Sequence, residues 1–269
     1  MLSDIDISNF EKQGILFPLD LLSNKEVDSY LKQWLQLKDS HGGRIPPILK
    51  YKPHLLVPAL WDLVMDERIV SLVQQLLGEN VLCFGTSMIT KLANDSKHVS
   101  WHQDATHWGL SNHQAVTVWV ALTPSSTENG CVRVIPSSHK EVVPHDHPSD
   151  ANNMLGRKEV ARFDINKHKI IDVELNAGQL SIHHPLLVHG SSINKAESER
   201  SGFAIRYIAA DNRQQDGERG TVIHVSGIDF GHYDLEQKPQ GLMQKEDMMR
   251  HRNILRSGMK IIFNNSDKD

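Results

Sequence analysis

Cysteine is scarce in this chain, whose 269 residues include only Cys83 and Cys131. Two cysteines cannot build a disulfide framework or a cysteine-based zinc site, which excludes the scaffolds that depend on either. Apolar runs are short, and none approaches the roughly 20 residues that a membrane helix requires. A formal net charge of -4 and a pI near 6.5 argue against a nucleic-acid binder with a basic surface. Because the N-terminal residues lack a basic stretch, we expect a cytoplasmic protein.

The rest of the composition is that of an ordinary globular protein, with 39% hydrophobic and 23% charged residues. A capping box at Ser23 and Glu26 predicts the start of one helix, and Asp66 and Gly78 bracket another. The length fits one domain over residues 1–269. We expect its N-terminal part, about residues 1–79, to be helical.

Short segments rich in β-branched residues dominate after Gly78, separated by turns such as Asn129-Gly130. The pattern predicts a mainly β fold with flanking helices, a cupin-like jelly roll over about residues 80–226, with the N-terminal helices packed on it. A C-terminal extension of about residues 227–269 follows. The polar link 137–168 is long enough to serve as a lid or binding loop. The predicted strands span residues 81–91, 115–122, 131–135, 169–175, 179–189, 203–210 and 220–225.

Histidine is abundant, with sixteen residues, so that a His-x-Asp tripeptide is expected by chance alone. One of the two present, His232-Tyr-Asp234, lies beyond the last predicted strand and is interpreted as a solvated turn. The other, His102-Gln-Asp104, lies between two predicted strands. It could place two metal ligands on one face of a strand, because side chains alternate with period two. His189, at the end of an apolar run, qualifies as a third ligand.

Two histidines and one carboxylate on one side of a metal leave three coordination positions open, as in non-haem Fe(II) oxygenases. A bidentate 2-oxo acid would take two of these positions and O₂ the third. If the 2-oxo acid is 2-oxoglutarate, its distant carboxylate needs a partner, and a planar guanidinium suits it best. Arg200, eleven residues after His189, is one candidate. Arg206 is the other, since both arginines share a face if that strand is regular.

Four ordered blocks of this sequence together resemble the phytanoyl-CoA dioxygenase family of Fe(II)- and 2-oxoglutarate-dependent oxygenases, over about residues 5–212. The resemblance implies a double-stranded β-helix in which His102, Asp104 and His189 bind iron and Arg200 holds the far carboxylate of 2-oxoglutarate. It also implies further co-substrate contacts from Gln103, Trp119 and Ser191. The blocks are Trp101-His-Gln-Asp104, Asn129-Gly-Cys-Val-Arg-Val-Ile-Pro-Ser-Ser-His139, His189-Gly-Ser-Ser-Ile-Asn194, and Arg200 followed by Arg206-Tyr207.

One departure from the family pattern is Ser137, where a glycine is usual, which concerns the geometry of a turn. The related carrier-dependent halogenases replace the carboxylate ligand with alanine or glycine, which frees a place for chloride. Because Asp104 is present, hydroxylation or another oxidation of an unactivated C–H bond is favoured over chlorination. Trp108 and His183 are the predicted substrate-binding residues. Alternation puts His183 on the face of His189 if the strand over 179–189 is continuous.

Two other classes of protein stay open from the sequence. A cupin-type metal protein acting without 2-oxoglutarate would need no carboxylate-binding arginine, and a catalytically silent jelly-roll sensor would usually have lost a metal ligand. The expected partner is a small molecule, with no nucleic acid and no membrane. Basic residues in the variable loops favour an anionic substrate, or else are ordinary solvated charges. These residues are Arg157, Lys158, Arg162, Arg213 and Arg219.

Overall fold

Helices occupy the first part of the chain and strands the middle, as predicted. The computed structural model describes residues 1–215 and 219–264, with side chains described up to residue 258. The helices are α1 (Asp4–Gln13), α2 (Asn24–Ser40), α3 (Pro58–Val64), α4 (Glu67–Leu77) and α5 (Lys245–Asn264). Short 3-10 helices span Pro47–Lys50, Pro53–Leu55, Asp104–His107, Ser138–Lys140 and Ile165–Lys167. Among the described residues, no helix combines the length and the apolar character needed to cross a membrane.

The strands form two main antiparallel sheets and a small hairpin. The strands are β1 (Ile15–Asp20), β2 (Val81–Lys91), β3 (Val99–His102), β4 (Ala115–Ala121), β5 (Val132–Val134), β6 (His145–Asp146), β7 (Val160–Ala161), β8 (Ile171–Val173), β9 (Gln179–His183), β10 (His189–Ser191), β11 (Arg200–Ala209), β12 (Thr221–Ser226) and β13 (Asp234–Leu235). The larger sheet has the order β1-β9-β4-β11-β2-β12-β13, in which only β13 is parallel to its neighbour, and the smaller has the order β3-β10-β5-β8. This arrangement confirms the predicted jelly roll.

Local signals set the helix boundaries as predicted. The Ser23 side chain accepts a hydrogen bond from the backbone N–H of Glu26, and the Glu26 side chain accepts one in return from the backbone of Ser23. Asp66 caps α4 in the same way through the N–H of Arg68. Gly78 ends α4 with a φ of 89°, in the range that glycine tolerates without strain.

The prediction of one continuous strand over residues 179–189 is wrong. The segment divides into β9, which belongs to the larger sheet, and β10, which belongs to the smaller one. Pro185 has no N–H to donate to a ladder, and the N–H of Leu187 donates to the His184 carbonyl in a turn at 2.9 Å. The chain therefore crosses between the two sheets immediately before His189.

Side-chain alternation along the larger sheet separates two apolar cores. Val118 and Ile205 lie on the outer face and pack in one cluster with helix residues such as Leu60. Trp119 and Ala204, one position along each strand, belong instead to the cluster between the sheets. The helices thus cover the outside of the larger sheet, and the space between the sheets is left for the inward-facing residues.

A buried polar network joins the segment before α3 to the end of the β-region. His54 is fully buried, with Nδ1 2.6 Å from Thr86 Oγ1 and Nε2 2.7 Å from Glu236 Oε2. Lys52 Nζ donates to Glu236 and, at 2.8 Å, to the carbonyl of Thr221. Burial alone would raise the pKa of Glu236, but the Lys52 charge and these hydrogen bonds hold it well below its ordinary value.

We expect the substitution Glu236→Gln to lower the free energy of unfolding at pH 7 by about 3 kcal/mol, because Lys52 loses its buried counter-charge. The folded-state pKa of Glu236 lies below that of the unfolded chain. The contribution of the carboxylate is therefore complete above the unfolded pKa and is lost as the pH falls below it. Urea denaturation at pH 7 and pH 3.5, with the exposed Glu128→Gln as control, measures this. A wild-type advantage over Glu236→Gln that does not shrink at pH 3.5 would contradict the assignment.

Candidate metal centre

Two of the predicted ligands face each other across the smaller sheet. His102 ends β3 and His189 begins β10, and the two are direct partners in the antiparallel register. Their ring centroids are 4.1 Å apart. Nδ1 of His102 donates to the Ser100 carbonyl at 2.9 Å, and Nδ1 of His189 donates to the Leu187 carbonyl at 2.8 Å. These bonds hold both rings and leave both Nε2 atoms free to coordinate a metal.

Asp104 completes the trio from outside the strand. The expectation that it shares one face of a strand with His102 is wrong, since Asp104 starts a 3-10 helix whose Ala105 N–H donates to the Pro185 carbonyl. Asp104 Oδ1 nevertheless lies 3.4 Å from His102 Nε2 and 3.9 Å from His189 Nε2. The three donor atoms lie within 4.8 Å of one another. The turn therefore brings the carboxylate to the paired imidazoles.

The protonation states of Asp104 and His189 suit metal binding, whereas the contacts of His102 with Asp104 raise the pKa of His102 against the effect of burial. Burial lowers the pKa of His189 well below its ordinary value, and the neighbouring His102 adds to the effect. Burial opposes the ionisation of Asp104, but contacts with His102 and His183 hold the pKa of Asp104 well below its ordinary range. Thr117 Oγ1 also donates to Asp104 Oδ2 at 3.0 Å. A carboxylate and a neutral imidazole are thus present at neutral pH, as a cation requires.

The trio is the one group of three such side chains, within the part of the chain that the structure describes, whose donor atoms are this close. Two imidazole nitrogens and one carboxylate oxygen suit a divalent first-row metal such as Fe(II) and occupy only part of its coordination sphere. The remaining positions are open to other ligands. The arrangement can therefore hold a metal that also binds small molecules.

His183 approaches the trio from the opposite sheet. It lies at the end of β9, pairs with Thr117 on β4, and is buried. Its ring centroid is 4.7 Å from that of His189, and its Nε2 is 3.9 Å from Asp104 Oδ2. Among the described residues, neither ring nitrogen has a hydrogen-bond partner. The proximity to His189 is as predicted, but it arises from the facing of two sheets rather than from alternation along one strand.

Arg200 lies at the start of β11 and is almost completely buried. Its Nη1 donates to the Gly130 carbonyl at 2.9 Å, and its Nε has no hydrogen-bond partner in the part of the chain that the structure describes. The guanidinium lies over the ring of Trp119 at 5.1 Å. A Cβ at Gly202 would come within 2.0 Å of that ring, so only glycine leaves room for it. Burial lowers the pKa of Arg200 to about 10, and the group remains a cation at neutral pH.

Lys91 is a second buried cation beside Arg200. The two residues are direct partners between β2 and β11. Lys91 is fully buried and donates through Nζ to the Ser192 carbonyl. Burial and the charge of Arg200 lower the pKa of Lys91 to about 7. Lys91 is not predicted from the sequence, because a lysine at the end of an apolar strand is ordinarily solvated. Two adjacent buried cations favour the binding of an anion.

Buried polar atoms that have no hydrogen-bond partner among residues 1–215 and 219–264 line the interior next to the trio. They are Trp119 Nε1, Ser181 Oγ and Ser191 Oγ. Each of these residues lies two positions along its strand from a residue at the trio. Trp119 follows Thr117 on β4, Ser181 precedes His183 on β9, and Ser191 follows His189 on β10. Ser181 and Trp119 are also direct partners between β9 and β4. Buried polar groups are normally hydrogen-bonded, so this row marks a site for a polar ligand.

Gln103 makes different contacts from those expected of a co-substrate residue. Its Nε2 donates to the Glu141 carbonyl at 2.7 Å and to the Leu186 carbonyl at 2.6 Å, and its Oε1 accepts from the Val143 N–H at 2.8 Å. The side chain thus joins the long loop to the turn before His189. A co-substrate contact of Gln103 stays a prediction.

Arg206 and Trp108, the remaining two residues predicted from the sequence, lie near the level of Asp104. Arg206 pairs with Thr117, donates through Nη1 to Ser87 Oγ at 3.0 Å, and lies over the ring of Trp108 at 5.9 Å. Arg200 lies six residues earlier, at the start of β11. The two arginines that compete for the co-substrate carboxylate therefore face different parts of the interior.

Comparisons with known proteins give relatives of this chain in both sequence and structure. The sequence model of the family described as phytanoyl-CoA dioxygenase (PhyH) matches residues 10–202. Ectoine dioxygenase of Halomonas elongata is 27% identical over 237 residues, which cover 79% of this chain and 71% of that protein. A probable alpha-ketoglutarate-dependent hypophosphite dioxygenase of Stutzerimonas stutzeri is 31% identical over 165 residues, which cover 59% of this chain and 56% of that protein. The solved structure of ThoJ, a non-heme monooxygenase in its apo form, is 28% identical in sequence and superposes with a TM-score of 0.86. The match covers 98% of this chain and 99% of ThoJ.

Proposed function

Since the chain belongs to the phytanoyl-CoA dioxygenase family, we propose that it is a non-haem Fe(II)- and 2-oxoglutarate-dependent oxygenase. It hydroxylates, or otherwise oxidises, an unactivated C–H bond of a small organic substrate. The observation that carries the proposal is the combination of the His102–Asp104–His189 trio with a row of unpartnered polar atoms leading toward Arg200. The organisation of residues 1–269 as one catalytic domain and the cytoplasmic location stay predictions.

The donor chemistry of the trio fits Fe(II). His102, Asp104 and His189 would bind the metal through two imidazole nitrogens and one carboxylate oxygen. When bound, iron supplies the reduction of O₂ coupled to decarboxylation of 2-oxoglutarate, with one oxygen atom entering succinate and the other the product, and CO₂ released. Thr117 orients the carboxylate, and the backbone carbonyls of Ser100 and Leu187 orient the rings.

The interior fits a dicarboxylate. The guanidinium of Arg200 and the ammonium of Lys91 supply two buried positive charges for the carboxylate far from the metal. Trp119 Nε1 and the hydroxyls of Ser181 and Ser191 can donate to the polar part of the molecule near the metal. A bound 2-oxoglutarate would therefore satisfy groups that are otherwise buried without partners.

The test is turnover of the purified protein with Fe(II), ascorbate and 2-oxoglutarate. We expect slow formation of succinate without substrate, and faster formation once a substrate is present. A screen of acids, amino acids, phosphonates and thioesters by succinate formation then identifies the substrate class. A protein that bound Fe(II) but neither bound nor consumed 2-oxoglutarate would instead support the cupin-type alternative. A protein that bound neither would support the catalytically silent one.

A further inference from the structure

Arg206 enters the interior of the jelly roll next to the metal trio. Along β11 it shares its face with Ala204, which lies in the cluster between the sheets. Its direct partner on β4 is Thr117, whose hydroxyl donates to Asp104. The side chain of Arg206 is therefore at the same level of the barrel as the trio.

Side chains around Arg206 are partly exposed at this level. Every other residue of β11 is buried, whereas Arg206 is partly exposed although it faces inward. Asp104 and Trp108 are also partly exposed. An inward-facing side chain that reaches solvent marks a break in the wall of the barrel. A molecule entering through this break would meet Arg206 and the trio together.

The walls of this break combine aromatic and polar groups. The indole of Trp108 lies under the Arg206 guanidinium and packs against Phe84 with ring centroids 5.9 Å apart. Ser87 accepts the hydrogen bond from Arg206, and its backbone forms an isolated antiparallel β-bridge with Tyr51. A Cβ at Gly156 would lie 3.8 Å from the Tyr51 hydroxyl, which places the 137–168 loop at the rim. Such a site is apolar with one charged group, as small-molecule pockets commonly are.

The charge of Arg206 has no protein partner in the described residues. Its guanidinium donates to Ser87, and no carboxylate oxygen among them lies within 4.0 Å of it. Two of the loop arginines that favoured an anionic substrate differ in this respect, since Arg162 pairs with Asp146 and Arg219 with Asp234 at the surface. The unpaired cation at the break is thus Arg206, rather than those two surface residues.

We propose that Arg206 binds an oxyanionic group of the substrate, while Trp108 packs beneath the guanidinium. The substrate class is then a small organic acid, a carboxylate or a phosphonate, whose C–H bonds are presented to the metal site from the Arg206 side. The proposal rests on the proposed function and makes Arg206 a specificity residue. It leaves 2-oxoglutarate to Arg200 and Lys91 on the other side of the row of unpartnered polar atoms.

The test compares small acids with their own neutral forms. A panel of carboxylates, each with its carboxamide, and of phosphonates, each with its dimethyl ester, is titrated by calorimetry into anaerobic protein loaded with Fe(II) and 2-oxoglutarate. The same titrations use metal-free protein. We expect acids to bind at least about tenfold more tightly than their neutral forms, because hydrogen bonds between two charged groups are stronger than those to a neutral group. Arg206→Gln should remove this preference, and Arg206→Lys should keep part of it.

The exposed Arg252→Gln is the matched control and should retain the full preference. A preference that survives in Arg206→Gln, an equal loss for acids and neutral forms, or a panel without any preference in the wild type would each overturn the proposal. Loss of 2-oxoglutarate binding in Arg206→Gln but not in Arg200→Gln would also overturn it. A wild type that does not consume 2-oxoglutarate refutes the proposed function instead, while the titrations of metal-free protein still decide the role of Arg206.

Discussion

Asp104→Ala is expected to abolish 2-oxoglutarate consumption and to weaken Fe(II) binding by more than about 100-fold. Loss of a group that only supports a metal ligand costs up to about 100-fold in affinity, and loss of a ligand itself should cost more. Asp104 is the only anionic donor of the trio, and its Oδ1 lies near the Nε2 atoms of both histidines. Anaerobic calorimetric titration with Fe(II) and measurement of succinate check the two effects separately. Thr117→Val, which removes only the hydrogen bond to the carboxylate, should have a smaller effect on both.

The second His-x-Asp tripeptide of the chain provides a matched control. Asp234 is largely exposed and pairs with Arg219 through Oδ1 at 2.6 Å. Asp234→Ala should therefore leave Fe(II) binding and turnover unchanged. Equal losses in Asp104→Ala and Asp234→Ala would show that the trio is not the iron site, and so would an Asp104→Ala protein with wild-type Fe(II) affinity.

Arg200→Gln is expected to raise the dissociation constant of 2-oxoglutarate by about 30-fold or more, since loss of one member of a buried charge pair costs at least about 2 kcal/mol. Arg206→Gln should change this constant only slightly, because Arg206 faces the other side of the trio. Anaerobic titration of the Fe(II)-loaded protein with 2-oxoglutarate gives both values. The reverse order of effects would transfer the co-substrate role to Arg206.

Lys91 adds a pH dependence to the same measurement. Its pKa in the free protein is about 7, and only the protonated ammonium attracts a carboxylate. The affinity for 2-oxoglutarate should therefore fall as the pH rises above 7, and Lys91→Met should bind more weakly without this fall. Lys140→Met, an exposed lysine, is the control. A fall in affinity that persisted in Lys91→Met would assign it to another group.

The signals that lie within one segment were readable from the sequence. Ser23 and Asp66 are local caps, and β2 has the predicted bounds of residues 81–91. The order of the sequence blocks predicts the trio, because the spacing of Asp104 and His189 along the chain follows the strand connections. It does not predict the local geometry of Asp104, since a 3-10 helix rather than a strand positions this residue.

The remaining site residues depend on pairings between distant strands, which the chain order does not specify. Lys91 becomes a neighbour of Arg200 only through the register of β2 against β11. Ser181 faces Trp119 only because β9 pairs with β4. His183 reaches Asp104 from the larger sheet, although a continuous strand would have placed it on the smaller one. A single sequence carries no periodic signal for such contacts.

Because His102 and His189 are direct partners on adjacent strands, the metal-binding set forms only when β3 and β10 pair in the correct register. A shift of one residue between β3 and β10 would turn one imidazole to the opposite face of the sheet. Asp104 in turn depends on the Pro185 carbonyl, where the chain crosses from the larger sheet to the smaller. Iron bound as proposed can thus be retained only by correctly paired chains. A chain in which β3 and β10 are not paired in this register would lack the two facing imidazoles.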